Sequence, residues 1–282
     1  MEVWMRKSMA VLLSACIIIG ALGSSRAVHA QEASPLGLTA GVEFWNNYFW
    51  RGLDFFGAGN GVFFPYVYFG IGKTGLSLMY MGQYGSETLG DGTGMNDTGR
   101  EQGNVAYNGA HWNMAYTYTV EKVVAIGVSG WYYWFYNSDD KLGYKWDWWE
   151  GTASATILAL PLNPTISYTY DYFVDKDVTV NGERGKNHYI KLALGHSFKL
   201  GEGSQLGLGL SAAYFDWNSM EMKGISDVVA SAKLSTSASG VSFNGSINYA
   251  YIPSSDFNNN AFTGNVKDTY RWWATFGASY SL

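Results

Sequence analysis

Apolar and polar positions alternate with a period of two along most of this chain. Leu36, Leu38, Ala40, Val42 and Phe44 interleave with Gly37, Thr39, Gly41 and Glu43. Successive side chains of a strand point to opposite faces, so the pattern predicts a strand with two different faces. The same period recurs at 76–83, 111–120, 124–136, 149–159, 165–172, 189–198, 206–214, 227–235 and 241–251. It returns at the end of the chain, where Trp272, Ala274, Phe276, Ala278, Tyr280 and Leu282 alternate with Trp273, Thr275, Gly277, Ser279 and Ser281. A further segment, Val62 to Ile71, is apolar on both faces, and Pro65 inside it predicts a local break in the ladder.

Twelve such segments can be counted. The connections after the first, third, fifth, seventh, ninth and eleventh tend to be longer and polar; the others are mostly tight. A β-sandwich also alternates, but it has no reason to segregate loop lengths. The expectation is an all-β fold: a transmembrane antiparallel up-and-down β-barrel of about twelve strands, with long loops at one end and short turns at the other. The ambiguous second segment leaves ten or fourteen strands open.

Composition fits this pattern. Of 282 residues, 17% are aromatic and 15% charged, with 35 glycines. The mean hydropathy of −0.09 is too low for a helical membrane protein. In a barrel the lipid-facing and inward residues cancel in such an average. Tyr and Trp gather toward segment ends, as at Trp112, Trp134, Trp149, Tyr172 and Trp272, where amphipathic rings anchor at the headgroup level.

The one long apolar run lies at the start. Arg6 and Lys7 precede Met9 to Leu22, and Val28-His29-Ala30 offers a cleavage site. Residues 1–30 therefore read as a secretory signal peptide and 31–282 as the barrel. Leu13-Ser14-Ala15-Cys16 fits a rival lipobox, which would leave Cys16 lipidated, but Ile17-Ile18-Ile19 continue the apolar core past the cysteine. Cleavage after Ala30 removes Cys16, and with it disulfides and thiol chemistry. It also removes three basic residues and one acidic residue, leaving 15 basic and 22 acidic, a net charge of −7. Nucleic acid is an unsuitable partner for that surface.

The inward face carries the functional information. Twelve tilted strands give a backbone radius of roughly 12 Å. The seventh to eleventh segments turn mostly Gly, Ala, Ser, Thr and Asn inward, which predicts a wet space instead of a packed core. No connection is long and apolar enough for a plug domain, although loop 85–104 could fold inward. The expected pore-lining charges are Glu43, Glu150, Asp171, Lys191, Asp227, Lys233 and Arg271. Lys191 with Asp171, and Glu43 with Arg271 across the closing seam, are candidate pairs. Arg51 sits at the mouth of the first strand and can turn inward. Opposed charges across a pore orient polar solutes and set ion preference.

Catalysis finds little support. Outside the signal the histidines are His111, His188 and His196, and none has a serine placed to form a triad. With no cysteine and no carboxylate cluster of recognisable spacing, neither a metal nor another cofactor is expected.

Tyr48-Phe49-Trp50-Arg51-Gly52 resembles the end of the first strand in the TorF-like family of outer-membrane porins, where a Tyr-x-Trp/Phe-Arg-Gly motif is common. The resemblance is confined to this stretch and the barrel pattern. It implies an outer-membrane pore without naming a solute, and marks Tyr48, Trp50, Arg51 and Gly52 as mouth residues. The spacing of Thr275, Gly277, Tyr280 and Leu282 is similar to the C-terminal signal read by the barrel-assembly machinery, which more often ends in Phe. A weaker likeness is to twelve-stranded nucleoside channels; it rests on strand count and on inward Trp131, Tyr133 and Phe135. The resulting expectation is a bacterial outer-membrane channel for passive diffusion of small hydrophilic solutes, in contact with outer-membrane lipids. The alternatives are a closed structural or adhesive barrel acting through its loops, and a nucleoside- or sugar-selective channel.

Overall fold

A computed structural model describes residues 36–54, 61–85, 108–136, 147–174, 186–218, 221–258 and 269–282. The segment expected to be a signal peptide, Cys16 and most of loop 85–104 lie outside these residues. Twelve strands form the wall: β1 (Leu36–Trp45), β4 (Val62–Ile71), β5 (Leu76–Gly85), β6 (Gly109–Val120), β7 (Val124–Phe135), β8 (Trp148–Ile157), β9 (Thr165–Phe173), β10 (Asn187–Gly201), β11 (Ser204–Trp217), β12 (Met222–Ala238), β13 (Val241–Tyr251) and β14 (Tyr270–Ser281). Two short strands, β2 (Phe49–Trp50) and β3 (Leu53–Asp54), form a separate hairpin.

The wall strands pair antiparallel in sequence order, and β1 closes on β14 from Thr39↔Ser281 to Trp45↔Thr275. Closure satisfies the edge N–H and C=O groups that lipid cannot. At the seam Thr39 Oγ1 and Ser281 Oγ share a 2.8 Å hydrogen bond, and the Leu282 amide donates to the Leu38 carbonyl at 2.9 Å. The ten-strand and fourteen-strand alternatives are thereby removed.

Alternation sorts the faces as the pattern predicts. On β14, Trp272 is 62% exposed while its neighbour Trp273 is 5% exposed. The outward face carries a continuous aromatic row at the loop end: Tyr80, Trp112, Tyr132, Trp149 and Tyr172 stand opposite one another on five neighbouring strands. Ring centroids along it are 5.7 Å, 5.9 Å and 4.6 Å apart for the first three contacts.

Pro65 interrupts one ladder only. Pairing of β4 with β5 skips from Phe63↔Tyr84 to Tyr66↔Met81, while pairing with β1 runs through Pro65↔Val42. A second irregularity lies on β12. On β12, Ile225 pairs Tyr214 and Asp227 pairs Ala213, so Ser226 is an extra residue, a β-bulge. Its hydroxyl donates to Asp227 Oδ2 at 2.7 Å, and both side chains are buried.

The interior has two halves. Toward the turn end the inward residues are mostly small, and their hydroxyls pair across strands, as in Thr156–Thr165 at 2.9 Å. Toward the loop end a packed aromatic core fills the barrel, including Phe49, Leu53, Tyr133, Trp148, Phe215, Trp217 and Trp273. The expectation that no connection acts as a plug is therefore corrected. Residues 46–54 fold inward, and a one-turn helix, Ser255–Asn258, sets buried Phe257 on Phe215 at 5.8 Å. Segment 46–54 is short, but Tyr48, Phe49, Trp50 and Leu53 give it enough aromatic and apolar surface to join the packed core in the loop-end half.

Candidate functional site: a hairpin latched across the lumen

The departure from the wall begins at Asn46. Its amide donates to the Ala274 carbonyl (3.1 Å), and its Oδ1 accepts from the Ala274 amide (2.7 Å). The side chain thus stands in for the next ladder residue while the backbone turns inward. Tyr48 packs edge-on to Trp45 (5.7 Å) and Phe64 (5.4 Å), and Phe49 lies 4.9 Å from Trp273. Trp50 reaches the far side, 5.9 Å from Trp148 on β8 and 6.1 Å from Phe215 on β11.

Arg51 and Gly52 form the two-residue turn between the Trp50↔Leu53 pair, with φ of +50° and +89°. Positive φ at both central positions is the type I′ pattern, which suits the twist of a hairpin. Gly52 takes it freely; a Cβ there would lie 2.6 Å from the Ser226 carbonyl oxygen. The hairpin tip therefore rests on the β12 bulge. Arg51 adopts a backbone that costs an L-residue roughly 1–2 kcal/mol, and its side chain supplies the compensation.

That side chain crosses to the opposite wall. Arg51 Nη2 donates to Glu150 Oε2 on β8 at 2.6 Å, and Nη1 to Asp171 Oδ2 on β9 at 2.5 Å. In the barrel order β9 is six strands from β1 in either direction, so the latch spans the lumen. The guanidinium carbon sits 4.2 Å from the Trp50 ring centroid, 4.6 Å from Tyr189 and 5.5 Å from Phe215. Burial alone disfavours a charged guanidinium. Asp171 and Glu150 more than offset this and hold its pKa above the ordinary arginine value, so Arg51 stays protonated.

All seven expected lumen charges lie on inward-facing strand positions, but their partners differ from expectation. Asp171 stands opposite Asn187, four residues from Lys191, and its partner is Arg51. Lys191 is instead level with Asp227, with only Ala213 between them. The Tyr189 hydroxyl also reaches Asp227. Glu43 stands opposite Gly277, six residues along β14 from Arg271, or roughly 20 Å at strand rise. Glu43 accepts a hydrogen bond from Trp45 Nε1 at 3.3 Å, and Arg271 Nη1 donates to the Tyr270 carbonyl at 3.2 Å. Lys233 lies in the turn-end half, opposite Gly207 and Ser246.

Sequence reasoning marked Tyr48 to Gly52 as mouth residues and missed their seat. Trp148 shares the phase of Glu150, and Tyr189 that of Lys191, so both were readable as inward. Phe215 and Trp217 lie beyond the predicted end of their strand, and nothing in the local pattern marks the bulge at Ser226.

The histidines are dispersed. His111 is buried on the inner face with Nε2 3.2 Å from Gln83 Oε1. His188 faces outward beside Tyr168, and His196 faces outward against Phe198. Among the described residues, no group of three or more His, Cys, Asp or Glu is arranged to hold a metal ion.

A closed, antiparallel barrel with an apolar outer face and polar inner half is of the bacterial outer-membrane type. Solved structures of that type resemble it. The COG4313 outer membrane channel from Pseudomonas putida F1 aligns with a TM-score of 0.53 at 11% identity, covering 90% of this chain and 98% of that one. The NanC porin aligns with a TM-score of 0.51 at 10% identity, covering 88% of this chain and all of the porin. No protein-family model matches the chain, and comparison with curated proteins gives no match either.

Proposed function

We propose that this protein is an outer-membrane channel for passive diffusion of small hydrophilic solutes, with the β2–β3 hairpin as its constriction. The observation that carries this reading is the inner face of the turn-end half. A barrel that served only as an anchor would have no use for a wall of Gly, Ser, Thr and Asn around a space of this width. The similarity to channel-type barrels supports it at the level of fold. Delivery by a cleaved signal peptide and insertion through the C-terminal strand by the barrel-assembly machinery complete the proposal. The TorF-like resemblance at Tyr48–Gly52 is consistent with it, since those residues form the constriction. In this reading solutes pass when the hairpin yields, and no residue has a catalytic role.

One observation favours a second reading. The loop-end half is packed around Arg51, as in a closed barrel that acts through its loops. Single-channel recording of the purified protein in planar bilayers separates the two. Stepwise conductance above leak is expected; its absence across a range of salt concentrations would sink the channel reading.

A further inference from the structure

We infer that Glu150 and Asp171, with the faces of Tyr189 and Phe215, form a subsite for guanidinium-bearing organic cations, and that Arg51 is a built-in competitor for it. The inference rests on the channel reading and adds a solute class to it.

The wall itself supplies the first argument. Glu150 and Asp171 stand directly opposite on β8 and β9. Like charges at such a cross-strand position repel, and both side chains are buried. Their cation comes from a hairpin, not from the wall. Without the hairpin, the wall retains an acidic pair flanked by two aromatic faces.

The chemistry of the pair selects the ligand. Arg51 gives one nitrogen to each carboxylate while its plane lies near the rings. A planar fork with several N–H donors and a weakly hydrated, stackable face meets both demands. A hard metal cation gains nothing from the rings and seeks more oxygens than two side chains offer. Asp171 supplies an independent sign: its Oδ1 is buried with no hydrogen-bond partner, so the site has more acceptors than Arg51 fills. A free guanidinium, unconstrained by a hairpin backbone, can reach this oxygen as well.

Competition follows from geometry. The hairpin is tethered, so its effective concentration at the site is in the millimolar range or above. A solute must outcompete it to enter, and Arg51 then couples recognition to opening.

The test uses the full chain, methylguanidinium chloride as probe, and potassium chloride as carrier salt. Wild type, Arg51→Ala and Arg51→Ala/Glu150→Gln/Asp171→Asn are compared by single-channel recording and by tryptophan fluorescence in detergent, since Trp50 and Trp148 border the site. Heat-modifiable migration in gels verifies that each barrel is folded, and Arg51→Gln replaces Arg51→Ala if that variant does not fold. Methylguanidinium is expected to modulate current and fluorescence in Arg51→Ala, at a half-effect concentration at least about tenfold lower than in wild type, and to lose both effects in the triple variant. A conducting Arg51→Ala channel indifferent to methylguanidinium overturns the subsite while leaving the channel standing. Equal responses in Arg51→Ala and the triple variant also overturn it. Silence of every variant in bilayers, with folded barrels, overturns the channel reading and the transport role of the subsite together; fluorescence then shows separately whether the acidic pair binds the probe.

Discussion

Arg51 and Gly52 show how much two residues can decide inside a lumen. Removing one member of a buried ion pair leaves the others charged and unpaired, which costs about 3–5 kcal/mol. Here that cost falls on Glu150 and Asp171, and the hairpin loses its latch. Arg51→Ala should therefore undock residues 46–54 and raise the open fraction in bilayer recordings. Unchanged gating would show that the aromatic contacts of Phe49 and Trp50 hold the hairpin alone. Gly52→Val tests the same docking without touching charge. Its Cβ would collide with the Ser226 carbonyl oxygen, and φ of +89° strains any L-residue. It should open the channel as Arg51→Ala does, with the acidic pair still partnered by Arg51 in any docked fraction. The five-residue motif made these positions visible in the sequence. Their partners were not visible, because Glu150 and Asp171 lie 99 and 120 residues away and only barrel closure brings them opposite.

At the scale of elements, each strand's period-two pattern sets its faces, and register then sets which charges meet. The expected Lys191–Asp171 pair failed because β9 and β10 align Asp171 with Asn187. Lys191 instead comes level with Asp227, across Ala213 on the strand between them. Changing both Lys191 and Lys233 to Glu would leave Asp227 without its level partner and make the lumen more acidic. Cation over anion permeability should rise, read as a shifted reversal potential in a salt gradient; no shift would place both lysines off the conducting path. The bulge on β12 is a second case. Deleting Ser226 keeps Ile225 outward and Asp227 inward, so the ladder becomes regular and the barrel should still fold. The hairpin tip loses its seat, and protease cleavage within 46–54 should speed up relative to wild type. Equal cleavage rates would show that the bulge is not needed for docking.

The whole barrel depends on its seam. Tyr280 and Ser281 pair with Ala40 and Thr39, and the Leu282 amide bonds to the Leu38 carbonyl. Removing residues 280–282 opens the edge at the turn end, where lipid offers no replacement hydrogen bonds. The truncated protein should lose heat-modifiable migration and its yield in the outer-membrane fraction. Full retention of both would mean that the remaining β1–β14 pairs suffice. The aromatic row from Tyr80 to Tyr172 belongs to the same scale. It exists only when five strands align, although Trp112, Trp149 and Tyr172 already sat near strand ends in the sequence.

The seam between β1 and β14 decided that the count is twelve; the sequence by itself determined an up-and-down set of about twelve strands, the two faces of most of them and the segregation of long and short connections. These are local consequences of a period-two pattern that must be apolar toward lipid, so they can be read without knowing which strand lies where. Tertiary structure alone decided that Tyr48 to Gly52 leave the wall, that Arg51 spans the lumen to Glu150 and Asp171, and that Ser226 bulges to receive the turn. Those contacts join residues far apart in the chain. They depend on register, on the six-strand path to the opposite wall and on the width of the closed barrel, none of which alternation records.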